Sequence, residues 1–231
     1  MAEGCLLYYI TDRAAFPGDE LTRQSRLLEK IAEAAYAGVD YIQLREKDLP
    51  TRNLEQLARE AAQTIRGLRK AAPDRASQRP AFLVNSRVDV AIACQADGVH
   101  LRSEDISPRE VRGVWTECAG AATTRANSSR DPQIGVSCHT SADVIQAASA
   151  GATFAVFAPV FEKKDIPGIK PAGLAHLSEA CKSSIPVLAL GGVTLENAKS
   201  CITAGAAGIA AIRLFQENDI VELAHSLRSN S

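Results

Sequence analysis

The sequence predicts a single (β/α)8 barrel over residues 1–231, an α/β fold in which eight parallel strands alternate with helices. The first observation is a repeat in which a turn of small residues runs into a short apolar strand, at residues 37–44, 96–101, 151–157 and 205–212. The repeats start 59, 55 and 54 residues apart. That spacing is about twice the length of one strand-plus-helix unit in a barrel of about 250 residues. The second observation is that further apolar strands and amphipathic helices lie between the repeats.

The four repeats supply the even-numbered strands of the predicted barrel. The odd-numbered strands are short apolar runs between the repeats, at residues 6–10, 81–84, 133–136 and 186–190. In barrels of this kind the functional residues lie at the C-terminal ends of the strands. The residues that follow each predicted strand are therefore the candidates for function.

Amphipathic segments predict the helices. Residues 25–37 place Leu28 and Ile31 on one face and leave charged side chains for water. Ser107 followed by Pro108 is a typical helix start, with a capping hydroxyl and a proline at the first helical position. The same pattern predicts helices at residues 54–68, 108–115, 142–150, 174–181, 195–204 and 220–227.

Length and composition limit the class of protein. With 231 residues, 46% of them hydrophobic, the chain can bury one substantial core. A net charge of −1 argues against nucleic acid or a membrane surface as a partner. No stretch approaches the roughly 18 apolar residues of a membrane span, and the N-terminus lacks the pattern of a signal peptide. We therefore expect a cytoplasmic protein. The sequence does not decide whether it forms a homo-oligomer.

The chain has six cysteines, and none of them forms a Cys-x-x-Cys pair. In a chain of this size they are expected to be reduced side chains of the core and not a disulfide framework. Cys138 has a second interpretation as a nucleophile, because it stands beside His139 at a predicted strand end. Since no acidic residue follows to orient the histidine, we favour the structural interpretation.

Positive charge is concentrated at the C-terminal ends of the predicted strands and in the long loop after the sixth strand. The residues concerned are Arg13, Arg45, Lys47, Arg87, Arg102, Lys163, Lys164, Lys170 and Arg213. A nearly neutral protein that collects cations at one mouth of a barrel is expected to bind an anionic small molecule. A ligand that carries phosphates fits this pattern best.

Three features of this mouth each have a functional and a structural interpretation. The glycines at 191–192 follow a strand where barrels hold a phosphate on backbone N–H groups, or they form a tight turn that requires positive φ. Arg45 and Lys47 alternate with Glu46, so that both cations point into the mouth, or this strand end is ion-paired at the surface. Asp105 ligates a metal that bridges phosphates, or it stabilises the start of the next helix.

Seven segments near the predicted strand ends resemble a known superfamily. They comprise residues 9–12, 43–47, 85–89, 98–101 with Glu104-Asp105 after them, 135–140, 186–192 and 204–206. In this order and at these barrel positions they resemble the thiamine-phosphate synthases and their TenI-type relatives. The resemblance covers nearly the whole chain. Gln-Leu-Arg-Glu-Lys at 43–47 and Gly-Val-Ser-x-His-Thr at 135–140 are specific to that superfamily.

The resemblance implies a transfer reaction. These synthases join hydroxymethylpyrimidine diphosphate to a thiazole phosphate, and pyrophosphate leaves a carbocation-like pyrimidine that the thiazole nitrogen captures. Asp105 would ligate Mg²⁺, and Ser137 and His139 would be the catalytic residues. The substrate-binding residues implied are Gln43 for the pyrimidine, Arg45, Lys47, Asn85 and Lys163 for the diphosphate, and Gly192 for the thiazole phosphate.

The chain departs from the pattern of these synthases at three places. Ser86 stands where they carry the aspartate of an Asn-Asp pair. The loop after the sixth strand is shorter by three residues and reads Phe-Glu-Lys at 161–163, without the usual hydroxyl side chains. Arg213 stands where they carry a serine, and it would bind phosphate in place of the lost donors or fill the site.

Two other functions follow from the same resemblance. A TenI-type thiazole tautomerase shares the barrel, tolerates loss of the Asn-Asp pair, and uses the histidine that His139 matches for proton transfer. The retained Gln43, Arg45, Lys47 and Asp105 favour the synthase, because a tautomerase does not need a diphosphate site. A non-catalytic barrel that binds a thiamine precursor is the third hypothesis.

Overall fold

The computed structural model describes residues 4–71, 80–121, 131–162 and 170–229, and it is a closed barrel of eight parallel strands. Each strand pairs with the next one in the sequence, and β1 pairs with β8 to close the barrel. The predicted (β/α)8 fold is therefore confirmed. The strands are β1 Leu6–Ile10, β2 Tyr41–Leu44, β3 Ala81–Asn85, β4 Gly98–Leu101, β5 Gln133–Cys138, β6 Phe154–Phe157, β7 Val187–Ala189 and β8 Gly208–Ala211.

Helices connect the strands. They are α1 Glu20–Tyr36, α2 Thr51–Ala71, α3 Val88–Cys94, α4 Pro108–Ala121, α5 Ser141–Ser149, α6 Gly173–Ala180, α7 Leu195–Thr203, α8 Arg213–Gln216 and α9 Ile220–Ser229. The amphipathic pattern located α5, α6, α7 and α9 to within two residues at each end. No helix among the described residues is both long and apolar enough to cross a membrane.

Five helices differ from the prediction, and of these α2 extends three residues beyond its predicted bounds at each end. Helix α1 begins at Glu20 and not at residue 25, because the Asp19 carboxylate accepts a hydrogen bond from the Thr22 backbone N–H at 2.9 Å and caps the helix there. Helix α4 continues to Ala121, six residues beyond its predicted end. The short helices α3 and α8 were not predicted, since neither shows an amphipathic repeat of sufficient length.

Side chains alternate between the interior of the barrel and the layer beneath the helices. The larger apolar cluster lies between strands and helices. The smaller cluster fills the barrel itself and includes Tyr8, Leu83, Phe154 and Leu188. The ring of Tyr8 packs edge-on against Phe154, with ring centres 5.5 Å apart. These rings form an apolar floor beneath the mouth at which the strands end.

One glycine makes room for the interior side chains at the level above this floor. A Cβ at Gly135 on β5 would lie 2.5 Å from the Phe154 ring and 2.8 Å from Nδ1 of His100. A larger residue at this position would displace one of these rings. The absence of a side chain on Gly135 therefore lets the rings of His100 and Phe154 pack against β5.

Candidate functional site

A chain of hydrogen bonds crosses the upper barrel from β5 to β3. The Nε2 atom of His100 lies 2.9 Å from Ser137 Oγ, and its Nδ1 atom lies 3.1 Å from the hydroxyl of Tyr8. Tyr8 also donates to Gln43 Oε1 at 3.1 Å, and Gln43 Nε2 donates to Asn85 Oδ1 at 2.9 Å. Five inward-facing side chains from five neighbouring strands are thus connected.

The single proton of the Tyr8 hydroxyl fixes the direction of this chain. Because Tyr8 donates to Gln43, its oxygen must accept from Nδ1–H of His100. Burial, assisted by the nearby charge of Arg45, lowers the pKa of His100 to about 3, so the ring is neutral. A neutral ring with its proton on Nδ1 accepts at Nε2. The Ser137 hydroxyl therefore donates to His100 and presents its lone pairs to the mouth.

The chain continues past Asn85 to a carboxylate. Asn85 Nδ2 donates to Ser86 Oγ at 3.1 Å, and Ser86 in turn hydrogen bonds to Asp105. Ser86 adopts φ of 58°, in the left-handed region that is strained for serine. The His100 carbonyl accepts from the Ser86 backbone N–H at 2.9 Å and holds this conformation in place.

Asp105 is engaged by Arg102. Its Oδ2 accepts from the Arg102 backbone N–H at 2.8 Å, and its Oδ1 accepts from the Arg102 guanidinium at 3.1 Å. Burial raises the pKa of Asp105, but the hydrogen bonds from Arg102 and Ser86 outweigh burial and lower it below the ordinary value. The carboxylate is therefore charged at neutral pH.

The residues around Asp105 do not form a metal site by themselves. Across the described ranges, no group of three or more histidine, cysteine, aspartate or glutamate side chains is placed to hold a metal ion. Asp105 offers one carboxylate that already binds a guanidinium, and Ser86 offers only a hydroxyl. A Mg²⁺ ion here would need most of its oxygen ligands from a bound phosphate and from water.

Arg45 and Lys47 follow β2 on the side of the mouth. The Arg45 side chain is half-buried and that of Lys47 is exposed. The charge of Arg45, then burial and the charge of Arg102, lower the pKa of Lys47. Lys47 therefore lies close enough to Arg45 and to Arg102 to be repelled by both, which is the arrangement expected of a site that binds an anion.

The intervening Glu46 faces the opposite way. Thr11 Oγ1 donates to Glu46 at 2.6 Å and accepts from the Arg45 backbone N–H at 3.0 Å. Arg13, which is 5% exposed, binds Glu46 at 3.1 Å and also contacts Glu20 and Asp48 at 2.7 Å each. We call Arg13, Glu20, Glu46 and Asp48 the Arg13 cluster, of which Arg13 and Glu46 are buried and Glu20 and Asp48 are exposed. Because Glu46 is anchored there, its two neighbours along the chain are turned towards the mouth.

His139 lies at the end of β5 and is exposed. Its Nδ1–H donates to the carbonyl of Ala158 at 2.6 Å, which leaves Nε2 as the hydrogen-bond acceptor of the neutral ring. Its backbone N–H donates to Asp143, the residue that closes the capping box of α5. The imidazole is thus fixed in one tautomer at the mouth.

Cys138 lies on the other face of β5. Its side chain is fully buried in the layer beneath the helices, and burial raises the pKa of the thiol to about 12. A thiol that stays protonated and inaccessible is not a nucleophile. All six cysteines are unpaired, as expected, but the expectation of core side chains is wrong for Cys118, which is exposed, and holds only in part for the half-buried Cys181.

The opposite side of the mouth is built from backbone. Gly191 and Gly192 have φ of 96° and 66°, so the predicted positive-φ turn is present. A Cβ on Gly192 would lie 2.5 Å from the Glu162 carbonyl oxygen, because the end of the β6 loop passes directly over it. Arg213 begins α8 and is exposed. Lys163, the predicted diphosphate ligand in that loop, lies outside the described residues.

Comparison with known proteins assigns the family. The profile of the TMP-TENI family, described as thiamine monophosphate synthase, matches residues 7–215. The chain belongs to this family. A thiamine-phosphate synthase of Clostridium novyi is 32% identical over 97% of both chains, and a putative thiamine-phosphate synthase 2 of Aquifex aeolicus is 36% identical over 91% of this chain and 97% of its own.

Solved structures of family members share the fold. The thiamine phosphate pyrophosphorylase from Pyrococcus furiosus superposes with a TM-score of 0.73 at 27% identity, over 99% of this chain and 96% of its own. The corresponding protein from Bacteroides thetaiotaomicron gives a TM-score of 0.60 at 16% identity, over 98% of this chain and 96% of its own, which bears on the fold alone. The family is one of transferases.

The residues expected from the resemblance to this family are brought together only in part. Gln43, Asn85 and Ser137 belong to one hydrogen-bonded chain, and Asp105 lies at its end. Sequence reasoning assigned no role to Tyr8, although it connects Gln43 to His100. The signal available for Tyr8 was its position on β1, where alternation turns it into the barrel. Because β1 is apolar throughout and carries two adjacent tyrosines, the sequence did not show which of them faces inward.

Proposed function

We propose that the protein is a thiamine-phosphate synthase. It joins hydroxymethylpyrimidine diphosphate to a thiazole phosphate and releases pyrophosphate. The observation that supports this most is the continuous polar chain from Ser137 to Asp105 beside the cations Arg45 and Lys47. One end of this arrangement suits a neutral heterocycle, and the other suits a diphosphate.

The proposed reaction breaks one bond and forms one. The C–O bond between the pyrimidine methylene and the diphosphate breaks, and the electron pair leaves with pyrophosphate. The thiazole nitrogen then forms the C–N bond with its lone pair, so no proton needs to move. The work of the protein is to neutralise charge on the leaving group, for which Arg45, Lys47 and Lys163 are the proposed ligands.

Gln43 and Ser137 are the proposed contacts to the pyrimidine side. The amide of Gln43 is held from both sides, by Tyr8 and by Asn85, so its orientation is set before substrate binds. Ser137 donates to His100, so its oxygen lone pairs are available to a carbon that gains positive charge. Gly192 and Arg213 are the proposed partners of the thiazole phosphate.

Mg²⁺ belongs to the proposal as an ion that the diphosphate brings with it. It would supply positive charge to the phosphate oxygens when bound, with Asp105 as its protein carboxylate. A biosynthetic reaction between small phosphorylated molecules also fits a cytoplasmic protein with reduced cysteines.

A TenI-type thiazole tautomerase is the second candidate, and one observation favours it. The ring of His139 is fixed by Ala158 with Nε2 as acceptor at the mouth, which is what a general base requires. The cations on β2 and the carboxylate after β4 have no task in that reaction. For this reason the synthase remains the proposal.

One assay separates the candidates. Purified protein is incubated with hydroxymethylpyrimidine diphosphate and thiazole phosphate, with Mg²⁺ and with EDTA, and thiamine phosphate is followed by chromatography. We expect thiamine phosphate and an equal amount of pyrophosphate. Isomerisation of a thiazole carboxylate phosphate without thiamine phosphate formation would establish the tautomerase. Binding of both substrates without turnover of either would indicate a non-catalytic barrel.

A further inference from the structure

Arg102 continues the row of side chains that faces the barrel interior from β4. His100 is inward, and Arg102 follows it by two residues, as Arg45 follows the inward Gln43 on β2. The Arg102 side chain is 46% exposed. It is thus a cation at the mouth, placed by the same alternation that places Arg45.

The guanidinium of Arg102 is held in one place. Its Nε donates to Ser86 Oγ at 3.2 Å, one terminal nitrogen binds Asp105 at 3.1 Å, and the other lies 3.0 Å from Glu104. A guanidinium has five N–H bonds, so these contacts, counted over the described residues, leave two for a ligand. A planar group fixed in this way is well prepared to bind phosphate oxygens.

The guanidinium lies against the residues that are candidates to hold a metal ion. It contacts Asp105, the proposed carboxylate ligand of Mg²⁺, and Ser86, which stands where the synthases carry a second carboxylate. Because this place has one carboxylate fewer than in those synthases, a fixed guanidinium can supply positive charge where a Mg²⁺ ion has fewer protein ligands. Lys47 lies within range of the charge of Arg102, which connects the guanidinium to the cations of β2.

We propose that Arg102 is a third cation of the diphosphate site and takes over part of the charge neutralisation that a divalent ion would supply. This inference assigns Arg102 as a residue that binds diphosphate. It rests on the proposed function for the identity of that anion. Diphosphate should then bind to this protein without a metal. Mg²⁺ should raise the diphosphate affinity less while the guanidinium is present than after it is removed.

The test is titration calorimetry with inorganic pyrophosphate in EDTA. Wild type should bind, and Arg102→Gln should lower the affinity by roughly tenfold or more, as for loss of a charge-assisted hydrogen bond. Arg102→Lys should fall between them. Arg59→Gln is the matched control, because Arg59 is an exposed arginine on α2 that pairs only with Glu55 among the described residues. This variant should bind pyrophosphate as tightly as wild type does. Circular dichroism verifies each fold.

A second titration adds Mg²⁺. We expect the ion to raise the pyrophosphate affinity more in Arg102→Gln than in wild type, since removal of the guanidinium frees Asp105. The inference is overturned if wild type binds pyrophosphate only with Mg²⁺, if it binds under neither condition, or if Arg102→Gln binds as well as wild type in EDTA. If Arg102→Gln fails to fold, the neutral Arg102→Met takes its place, and binding equal to that of wild type in EDTA overturns the inference.

Thiamine phosphate formation is measured in parallel. Pyrophosphate binding that depends on Arg102 in a protein that forms no thiamine phosphate contradicts the proposed function and leaves this inference standing. Normal synthase activity together with unchanged pyrophosphate binding in Arg102→Gln contradicts this inference alone.

Discussion

Two charged clusters flank the end of β2, and they differ in which sign is in excess. The Arg13 cluster surrounds one arginine with three carboxylates, and the hydrogen bonds that Arg13 donates to Asp48, Glu20 and Glu46 raise the pKa of its guanidinium. On the mouth side lie Arg45, Lys47 and Arg102, of which Arg102 pairs with Glu104 and Asp105, and we call these five residues the mouth cluster. The cation of the Arg13 cluster is fully paired within that cluster. The mouth cluster has positive charge left for a ligand.

The difference follows from the two-residue period of a strand. Glu46 lies between Arg45 and Lys47, so the side that buries Glu46 is opposite to the side that exposes the two cations. One strand end therefore serves two purposes. The Arg13 cluster fixes the backbone, and the fixed backbone holds the cations of the mouth cluster towards the mouth. Substitutions on the two sides should accordingly separate stability from binding.

The largest effect is expected for Glu46→Ala. Removal of this carboxylate leaves the Arg13 guanidinium with two carboxylate partners. It also removes the acceptor to which the Thr11 hydroxyl donates. Loss of one partner of a buried ion pair costs about 3 kcal/mol at the lower end of the usual range, which corresponds to roughly 6–12 °C in Tm for a chain of this length. Thermal unfolding measures this. Glu46→Gln, which keeps the shape and one acceptor, should lose less.

Lys47→Ala is expected to show the opposite behaviour. Diphosphate binding should weaken by about 1.5–3 kcal/mol, as for a charge-assisted hydrogen bond, because the side chain is exposed at the mouth. The free energy of unfolding should change by less than about 0.5 kcal/mol. Calorimetric titration and thermal unfolding on the same sample provide both numbers. An unchanged affinity with the fold intact would show that Lys47 is not a ligand.

Tyr8→Phe sharpens the comparison by acting on neither cluster. The variant leaves Gln43 Oε1 and Nδ1–H of His100 without their shared partner in a buried place. An unsatisfied buried group costs about 1–3 kcal/mol, and the freed His100 can change tautomer and release Ser137. We expect kcat to fall by about tenfold with little change in KM.

Nitrogen NMR of labelled histidine shows which ring nitrogen of His100 carries the proton. A purely structural role of Tyr8 would leave that tautomer unchanged in Tyr8→Phe. In wild type the proton of His100 should be on Nδ1, and in Tyr8→Phe a population with the proton on Nε2 should appear. A wild-type ring protonated on Nε2 would contradict the direction assigned to the hydrogen-bond chain.

The sequence predicted the strands well because they depend on short-range patterns. The alternation at 43–47 left two arrangements open for Arg45 and Lys47, and the burial of Glu46 between them favours the one that points into the mouth. Helix α3 was not predicted, because residues 88–94 are mostly buried and small and show no polar face. The connection of Tyr8 to His100 depends on the register of four strands, which no local pattern contains. Arg102 appeared in the sequence as one cation among nine, and only its contacts single it out.

Ser86→Asp tests the mouth cluster through the metal. Aspartate tolerates the left-handed conformation at residue 86 better than serine does, and it would add a second carboxylate beside Asp105. The apparent affinity for Mg²⁺ should rise, and in wild type Mg²⁺ should bind weakly unless diphosphate is present. Titration of Mg²⁺ with and without pyrophosphate measures this. Stoichiometric binding of Mg²⁺ to free wild type, or an unchanged affinity in the variant, would contradict it.

The smallest effect is expected for His139→Gln. In a synthase the thiazole nitrogen already carries the lone pair that attacks, so His139 has only to shape the mouth, and glutamine preserves a hydrogen-bond donor near Ala158. Turnover should persist, well short of the roughly hundred- to ten-thousand-fold loss that follows removal of a general acid–base group. Both the synthase and the tautomerase reactions are measured in wild type and variant. A loss of that size in thiazole isomerisation, in a protein whose wild type forms no thiamine phosphate, would show that the fixed tautomer of His139 serves proton transfer and that the mouth cluster is not used for catalysis.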